Sequence, residues 1–124
     1  MPDRTVLVVE DFDDIRAIIR TLLEIKGCHV LEAVNGREAV EAASAHSSEL
    51  DLILMDLRMP VMTGVEATRR IHDHAETCRV PIVAMSAHCE GNWKDEALAA
   101  GAVECFSKPI EFGLLDTILS RYAA

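Results

Sequence analysis

No run of apolar residues in this chain approaches the length of a membrane span, and its start, Met1-Pro2-Asp3-Arg4, lacks the apolar core of a signal peptide. There is no Cys-x-x-Cys pair. Cys28, Cys78, Cys89 and Cys105 stand far apart, so no disulfide framework or thiolate metal centre is expected, and all four read as reduced, mostly packed thiols. His72, His74 and Cys78 are neighbours in sequence, but their spacing matches no structural zinc pattern. Basic residues are scarce: 12 Lys and Arg against 21 Asp and Glu leave a formal charge of −9, which argues against a nucleic-acid-binding face of clustered cations. Linkers, repeats and low-complexity tails are also missing from the 124 residues. The expectation is a single cytoplasmic domain, residues 1–124, long enough to bury a core without crosslinks.

What the sequence does contain is a series of short apolar runs that end abruptly. Thr5-Val6-Leu7-Val8-Val9 is rich in β-branched residues and reads as a buried strand stopping at Glu10-Asp11-Phe12-Asp13-Asp14. From Ile15 the period changes: Ile15, Ile18, Ile19, Leu22 and Leu23 fall on one helical face, with Gly27 as a left-handed stop. Residues 29–33 form a weaker strand, as an edge position allows, and Asn35 with Glu38 opens an Ala-rich helix. Leu52-Ile53-Leu54-Met55 runs without interruption into Asp56, the pattern of a strand buried on both faces of a parallel sheet. Thr63 and Glu66 repeat the helix-start signal. Residues 80–85 are another buried strand, with Pro81 tolerable at its start, and Asn92 to Asp95 opens a helix ending at Gly101. Residues 102–106 read as the last strand. After Pro109, Ile110, Leu114, Ile118 and Tyr122 give the face of a final helix, whose first turn Gly113 weakens by about 1 kcal/mol.

Five strands alternating with five helices on short connections predict a three-layer α/β fold. Its centre would be a doubly wound, five-stranded parallel sheet in the flavodoxin-like order 2-1-3-4-5. In that order the strands ending at Val9 and Met55 are neighbours, so Glu10, Asp11 and Asp56 should converge at one edge. Two carboxylates about 4 Å apart repel by roughly 4 kcal/mol at an effective dielectric of 20, so three call for a cation. A hard, oxygen-seeking ion such as Mg²⁺, with Mn²⁺ also admissible, suits such a set. The positive end of a helix dipole accounts for Asp13 and Asp14, but not for acids on two separate strand ends. Ser86, after the fourth strand, and Lys108, after the fifth, reach the same edge as a hydroxyl and an ammonium. A Lys-Pro bond also admits the cis form, which would fix the lysine's direction. Together these groups form a site for Mg²⁺ and a phosphoryl group.

Four ordered motifs carry a family resemblance over essentially the whole length: Val6-Leu7-Val8-Val9-Glu10-Asp11, Asp56-Leu57-Arg58-Met59-Pro60-Val61-Met62-Thr63-Gly64, Met85-Ser86-Ala87 and Phe106-Ser107-Lys108-Pro109. The chain resembles a two-component response-regulator receiver domain. Stretches such as Gly64-Val65-Glu66-Ala67-Thr68-Arg69-Arg70-Ile71 look most like receivers of hybrid kinases and phosphorelays. The resemblance implies that Asp56 accepts a phosphoryl group from a phosphohistidine on a histidine kinase or histidine phosphotransfer protein. Glu10, Asp11, Asp56 and the backbone carbonyl of Arg58 would hold Mg²⁺, while Lys108 and Ser86 would bind phosphoryl oxygens. It implies a signalling phosphoacceptor that assists its own phosphotransfer and dephosphorylation, rather than an enzyme. The switching surface would be the fourth helix, fifth strand and fifth helix, read by a downstream protein target. The absence of an output segment favours a stand-alone regulator or a phosphorelay intermediate.

Three positions depart from the pattern or tune it. The family usually carries Tyr or Phe where this chain has Cys105, and Phe106 next door should face the opposite side of the sheet. Arg58 and His88, two residues beyond Asp56 and Ser86, occupy positions that tend to set how long the aspartyl phosphate survives. Cys105 keeps open a phosphorylation-independent interaction module. An aspartyl-nucleophile phosphatase commonly needs an acid where Arg58 stands, and a flavin carrier would find its phosphate repelled by Glu10-Asp11-Phe12-Asp13-Asp14. Trp93, near the switching loop, is a candidate fluorescent reporter. Placed near the phosphoryl group, Arg58 should alter attack by water, so Arg58→Ala is expected to change the dephosphorylation rate. An unchanged rate would remove that role.

Overall fold

The computed structural model describes residues 4–87 and 92–123. Ten elements alternate along them: β1 (Thr5–Val9), α1 (Asp13–Ile25), β2 (His29–Ala33), α2 (Gly36–Ala45), β3 (Leu52–Asp56), α3 (Gly64–Asp73), β4 (Ile82–Ser86), α4 (Asn92–Ala100), β5 (Glu104–Ser107) and α5 (Phe112–Tyr122). All strand pairs are parallel, in the order β2-β1-β3-β4-β5, as the alternation predicts. None of the helices is long and apolar enough to cross a membrane, among the described residues.

Burial explains the apolar runs. β3 and β4 are buried at every residue and β1 at all but its first, because helices cover both faces. Successive side chains alternate between the two layers. Val6, Val8, Leu52, Leu54, Val83 and Met85 meet Ile19, Leu23, Leu115, Ile118 and Leu119 of α1 and α5. Leu7, Val9, Ile53, Met55 and Ile82 meet Ala39 and Ala43 of α2 and Ala67 and Ile71 of α3. A third, smaller cluster of Leu57, Ala84, Ala97 and Ala102 seats α4 on the same side as α2 and α3. The edge strand β2 buries only Ala33 completely, which accounts for its weak pattern.

Local signals act where the sequence places them. The Asn35 side chain accepts from the Glu38 N–H at 2.8 Å, and Thr63 Oγ1 accepts from Glu66 N–H at 3.2 Å. Gly27 takes φ 86°, and the N–H groups of Gly27 and Cys28 bond to the carbonyls of Glu24 and Leu23, closing α1. Cys28 is buried, Cys105 half-buried and Cys78 exposed; Cys89 lies outside the described residues.

Several boundaries differ from the sequence expectation. The fifth strand starts at Glu104 rather than 102, because the Ala102 N–H is taken by the Ala97 carbonyl in closing α4. The fourth starts at Ile82, because Val80 N–H is used in a turn with Thr77 and Pro81 has none to give. Ile110 precedes α5 instead of lying on its face, yet is buried in the core. On α1, Ile19 and Leu23 are buried, whereas Ile15 and Ile18 are 36% and 59% exposed. The apolar stripe is thus wider than the surface α1 covers.

One backbone approach holds the central loop in place. A Cβ on Gly64 would lie 1.9 Å from the Asp56 carbonyl oxygen and 2.7 Å from Leu57 Cα, while the Gly64 N–H bonds to the Leu57 carbonyl at 3.0 Å. Backbone, not a movable side chain, fills that space. Gly64→Ala is therefore expected to lower the unfolding free energy by about 2 kcal/mol or more, measured by urea denaturation.

Candidate functional site

The carboxyl ends of β1, β3, β4 and β5 deliver their last residues to one edge, as parallel strands in this order must. Glu10 follows β1, Asp56 closes β3, Ser86 closes β4 and Lys108 follows β5. Asp56 and Ser86 thus belong to the strands themselves, which is why they are only 3% and 0% exposed. Glu10, Asp11 and Asp56 each present a carboxylate oxygen within 4.8 Å of one another, the convergence expected from sequence.

Lys108 Nζ stands among them. It donates to Glu10 Oε1 at 2.5 Å and lies 3.2 Å from Asp56 Oδ2. The remaining carboxylate oxygens also have donors: the Phe12 N–H to Glu10 Oε2 and the Arg58 N–H to Asp56 Oδ1, each at 3.3 Å. Backbone bonds set these positions. Lys108 N–H bonds to the Ser86 carbonyl at 2.8 Å, Leu57 N–H to Met85 at 3.1 Å and Glu10 N–H to Ala33 at 3.1 Å. The Lys108–Pro109 peptide is cis, the form open to it on sequence grounds.

Electrostatics follow from burial. Burial pushes the Asp56 carboxyl up to about 7, the charge of Glu10 adds to the rise, and Lys108 opposes it. Burial pulls Lys108 down, but its hydrogen bond to Glu10 and the charge of Asp56 more than offset this and raise it. Two carboxylates share one ammonium, and half-buried Asp11 adds a third negative group. Oxygen donors alone, in excess negative charge, fit a hard divalent cation.

Some neighbours of the site are not legible in sequence. Arg16 donates from Nη1 to the Glu10 carbonyl at 3.0 Å and also bonds Asp13 and Glu32, tying α1 to β1 and β2. The Arg58 guanidinium lies over the Trp93 ring, 5.5 Å from its centroid, an interaction worth about 0.5–1 kcal/mol at an exposed site. Val61 takes φ 71° at the centre of a turn closed by the Met62 N–H to the Pro60 carbonyl at 2.8 Å, a strained conformation for a β-branched residue. Cys105 packs with the small cluster beside Val65 and Trp93, whereas Phe106 packs on the α1–α5 side, so Phe106 does not replace the aromatic. His88 lies outside the described residues.

A doubly wound sheet with carboxylates gathered around a lysine at its carboxyl edge defines a class of phosphoryl-receiving α/β signalling domain, and the comparisons agree. Residues 6–120 match the response regulator receiver domain family, and the chain belongs to it. It is 37% identical over 118 residues to the signal transduction histidine-protein kinase BarA of Escherichia coli, covering 95% of this chain but 13% of that kinase. Among solved structures, the receiver domain of the sensor histidine kinase PA1611 of Pseudomonas aeruginosa, with a magnesium ion coordinated in its active-site cleft, superposes with TM-score 0.86. The two are 34% identical, and the match covers 98% of each chain. The receiver domain of Ssk1 from Saccharomyces cerevisiae, crystallised with the histidine phosphotransfer protein Ypd1, matches with TM-score 0.87 and 30% identity, over 98% of this chain and 89% of that one. The chain is thus a receiver of two-component and phosphorelay signalling, a signalling phosphoacceptor and not a classical enzyme.

The pH dependence of stability follows in sign from Asp56. Its folded value, about 7, lies above its ordinary 3.8, so the fold favours the neutral acid. That contribution is present below about pH 4 and is lost as pH rises through about 7, by up to about 4 kcal/mol. In metal-free protein, Asp56→Asn should therefore gain thermal stability over the native chain at pH 8 relative to pH 5. Calorimetry with a chelator checks this.

Proposed function

We propose that residues 1–124 act as one receiver domain in which Asp56 is the phosphoacceptor. The observation that carries this reading is the position of Asp56. It is buried at the end of β3, 3.2 Å from the Lys108 ammonium, and within metal-sharing distance of Glu10 and Asp11. Its Oδ attacks the phosphorus of a phosphohistidine on a histidine kinase or histidine phosphotransfer protein. A P–O bond forms as the P–N bond breaks. Lys108 pairs with one phosphoryl oxygen, and Ser86, at the end of the neighbouring strand, donates to another.

The residues that would hold Mg²⁺, or Mn²⁺ in its place, are Glu10, Asp11, Asp56 and the backbone carbonyl of Arg58. When bound, the ion supplies neutralisation of the carboxylates and of the oxygens in transfer. Lys108 contributes a fixed positive charge from the protein side, held by Glu10 so that it need not reorganise during transfer. The exposed Ile15 and Ile18 line a cleft of about 360 Å³ with Ala87, Pro109 and Ile110, and Lys108 stands at its wall. This apolar surface beside the site is where a donor protein would seat.

The output is a population shift. An added charge of about −1.5 to −2 on Asp56 draws in Ser86 and biases α4, β5 and α5 toward a second arrangement read by a downstream protein. Glu104 of β5 accepts from Tyr122 and from Arg121 Nη1, the latter at 2.8 Å, which couples β5 to α5. We infer that assistance to its own dephosphorylation and a cytoplasmic location accompany this role.

Incubation with Mg²⁺ and a small-molecule phosphodonor, followed by intact-mass measurement, tests the assignment. One phosphoryl adduct is expected, lost in Asp56→Asn and when a chelator is present. An adduct surviving Asp56→Asn would move the acceptor elsewhere. No adduct even with a cognate kinase would favour a phosphorylation-independent interaction module.

A further inference from the structure

We propose that Trp93 is a positioning residue for Arg58. It holds the guanidinium at the rim of the carboxylate site until a phosphoryl group on Asp56 draws it away, so that occupancy of the site is transmitted directly to α4. The inference rests on Asp56 being the acceptor and specifies how this chain's own residues report its state.

Arg58 is anchored at the site by its backbone, whose N–H bonds to Asp56 Oδ1 at 3.3 Å. Its side chain is exposed and lies over the ring of Trp93, the second residue of α4, 5.5 Å from the centroid. The two residues face a common cavity of about 390 Å³, which Asp11 and Thr63 also line. The guanidinium therefore faces open space that runs from the ring to Asp11, the outermost carboxylate of the site. Before modification, Asp56 is paired with Lys108, which already bonds Glu10 and lies 3.2 Å from Asp56. A phosphoryl group adds negative charge and three acceptor oxygens on the exposed side of that pair. Guanidinium binds such oxygens in a fork, a stronger interaction than an exposed contact with a ring.

The Trp93 ring has a second neighbourhood. It packs against the small cluster of Leu57, Ala84, Ala97 and Ala102, with Cys105 beside it. At position 105 a thiol stands where an aromatic ring is usual for the family, so the aromatic group in this region comes from α4 rather than β5. Removing Arg58 from one side of the ring changes what holds α4 against the sheet. That is a link from the site to the proposed output face that does not pass through position 105.

The chain has a single tryptophan, so its emission reports the surroundings of Trp93, and the Arg58 variants single out this contact among them. The purified chain with Mg²⁺ is titrated with beryllium fluoride, adduct formation is followed by fluorine NMR, and emission is recorded in parallel. The native chain is expected to form the adduct and change its emission. Arg58→Gln should form the adduct with an emission change at least threefold smaller, and Arg58→Lys should recover part of it. An adduct whose emission change is the same in the native chain and Arg58→Gln overturns this inference and leaves the Asp56 reading intact. Absence of any adduct in the native chain overturns both.

Discussion

The Lys108 ammonium, held between Glu10 and Asp56, is the interaction on which the site depends, because it joins the ends of three strands that are far apart in sequence. Buried ion pairs are costly unless every charged atom has a partner. Here each of the four oxygens of Glu10 and Asp56 meets a donor, two of them from Lys108 and two from backbone N–H groups. The arrangement is satisfied in hydrogen bonds but not in charge. Two carboxylates face one ammonium, with Asp11 alongside, and burial first, then the charge of Glu10, raise the pKa of Asp56. A site left one cation short is prepared for a divalent ion and for the oxygens such an ion accompanies.

The fold serves that constraint. A parallel sheet sends all its carboxyl ends one way, and the order β2-β1-β3-β4-β5 makes β1, β3, β4 and β5 neighbours at the edge where the acids, the hydroxyl and the lysine emerge. Helices on both faces bury β3 and β4 completely, and this in turn buries Asp56 and Ser86 as terminal strand residues. Gly64 lets the start of α3 rest on the Asp56 backbone itself. The reactive carboxylate is thereby fixed by main chain on one side and by Lys108 on the other, while the rim carrying Arg58 and Trp93 stays open.

Much of this was legible from residue order. Apolar runs that end in Glu10-Asp11 and in Asp56, together with the helix starts at Asn35 and Thr63, were enough to place the acids, because strand direction and pairing order leave them one shared edge. The opposite facing of Cys105 and Phe106 followed from the period of two along a strand. The boundaries of β4 and β5 were less legible, since they depend on which N–H groups neighbouring turns have already used, as at Val80 and Ala102. The exposure of Ile15 and Ile18 was hidden for a similar reason: an apolar stripe does not say how much of itself the next layer covers.

The sequence by itself determined the alternation of strands and helices, the sheet order, and the identity of the groups delivered to the edge, since these rest on local periodicity and chain connectivity. Tertiary structure alone decided how those groups pair. That Lys108 bonds Glu10 while lying beside Asp56, that Arg16 of α1 bonds Glu32 of β2, and that Arg58 lies over Trp93 are meetings of side chains from separate elements. Such contacts depend on angstrom-scale packing of one layer on another, which no pattern within a single segment encodes.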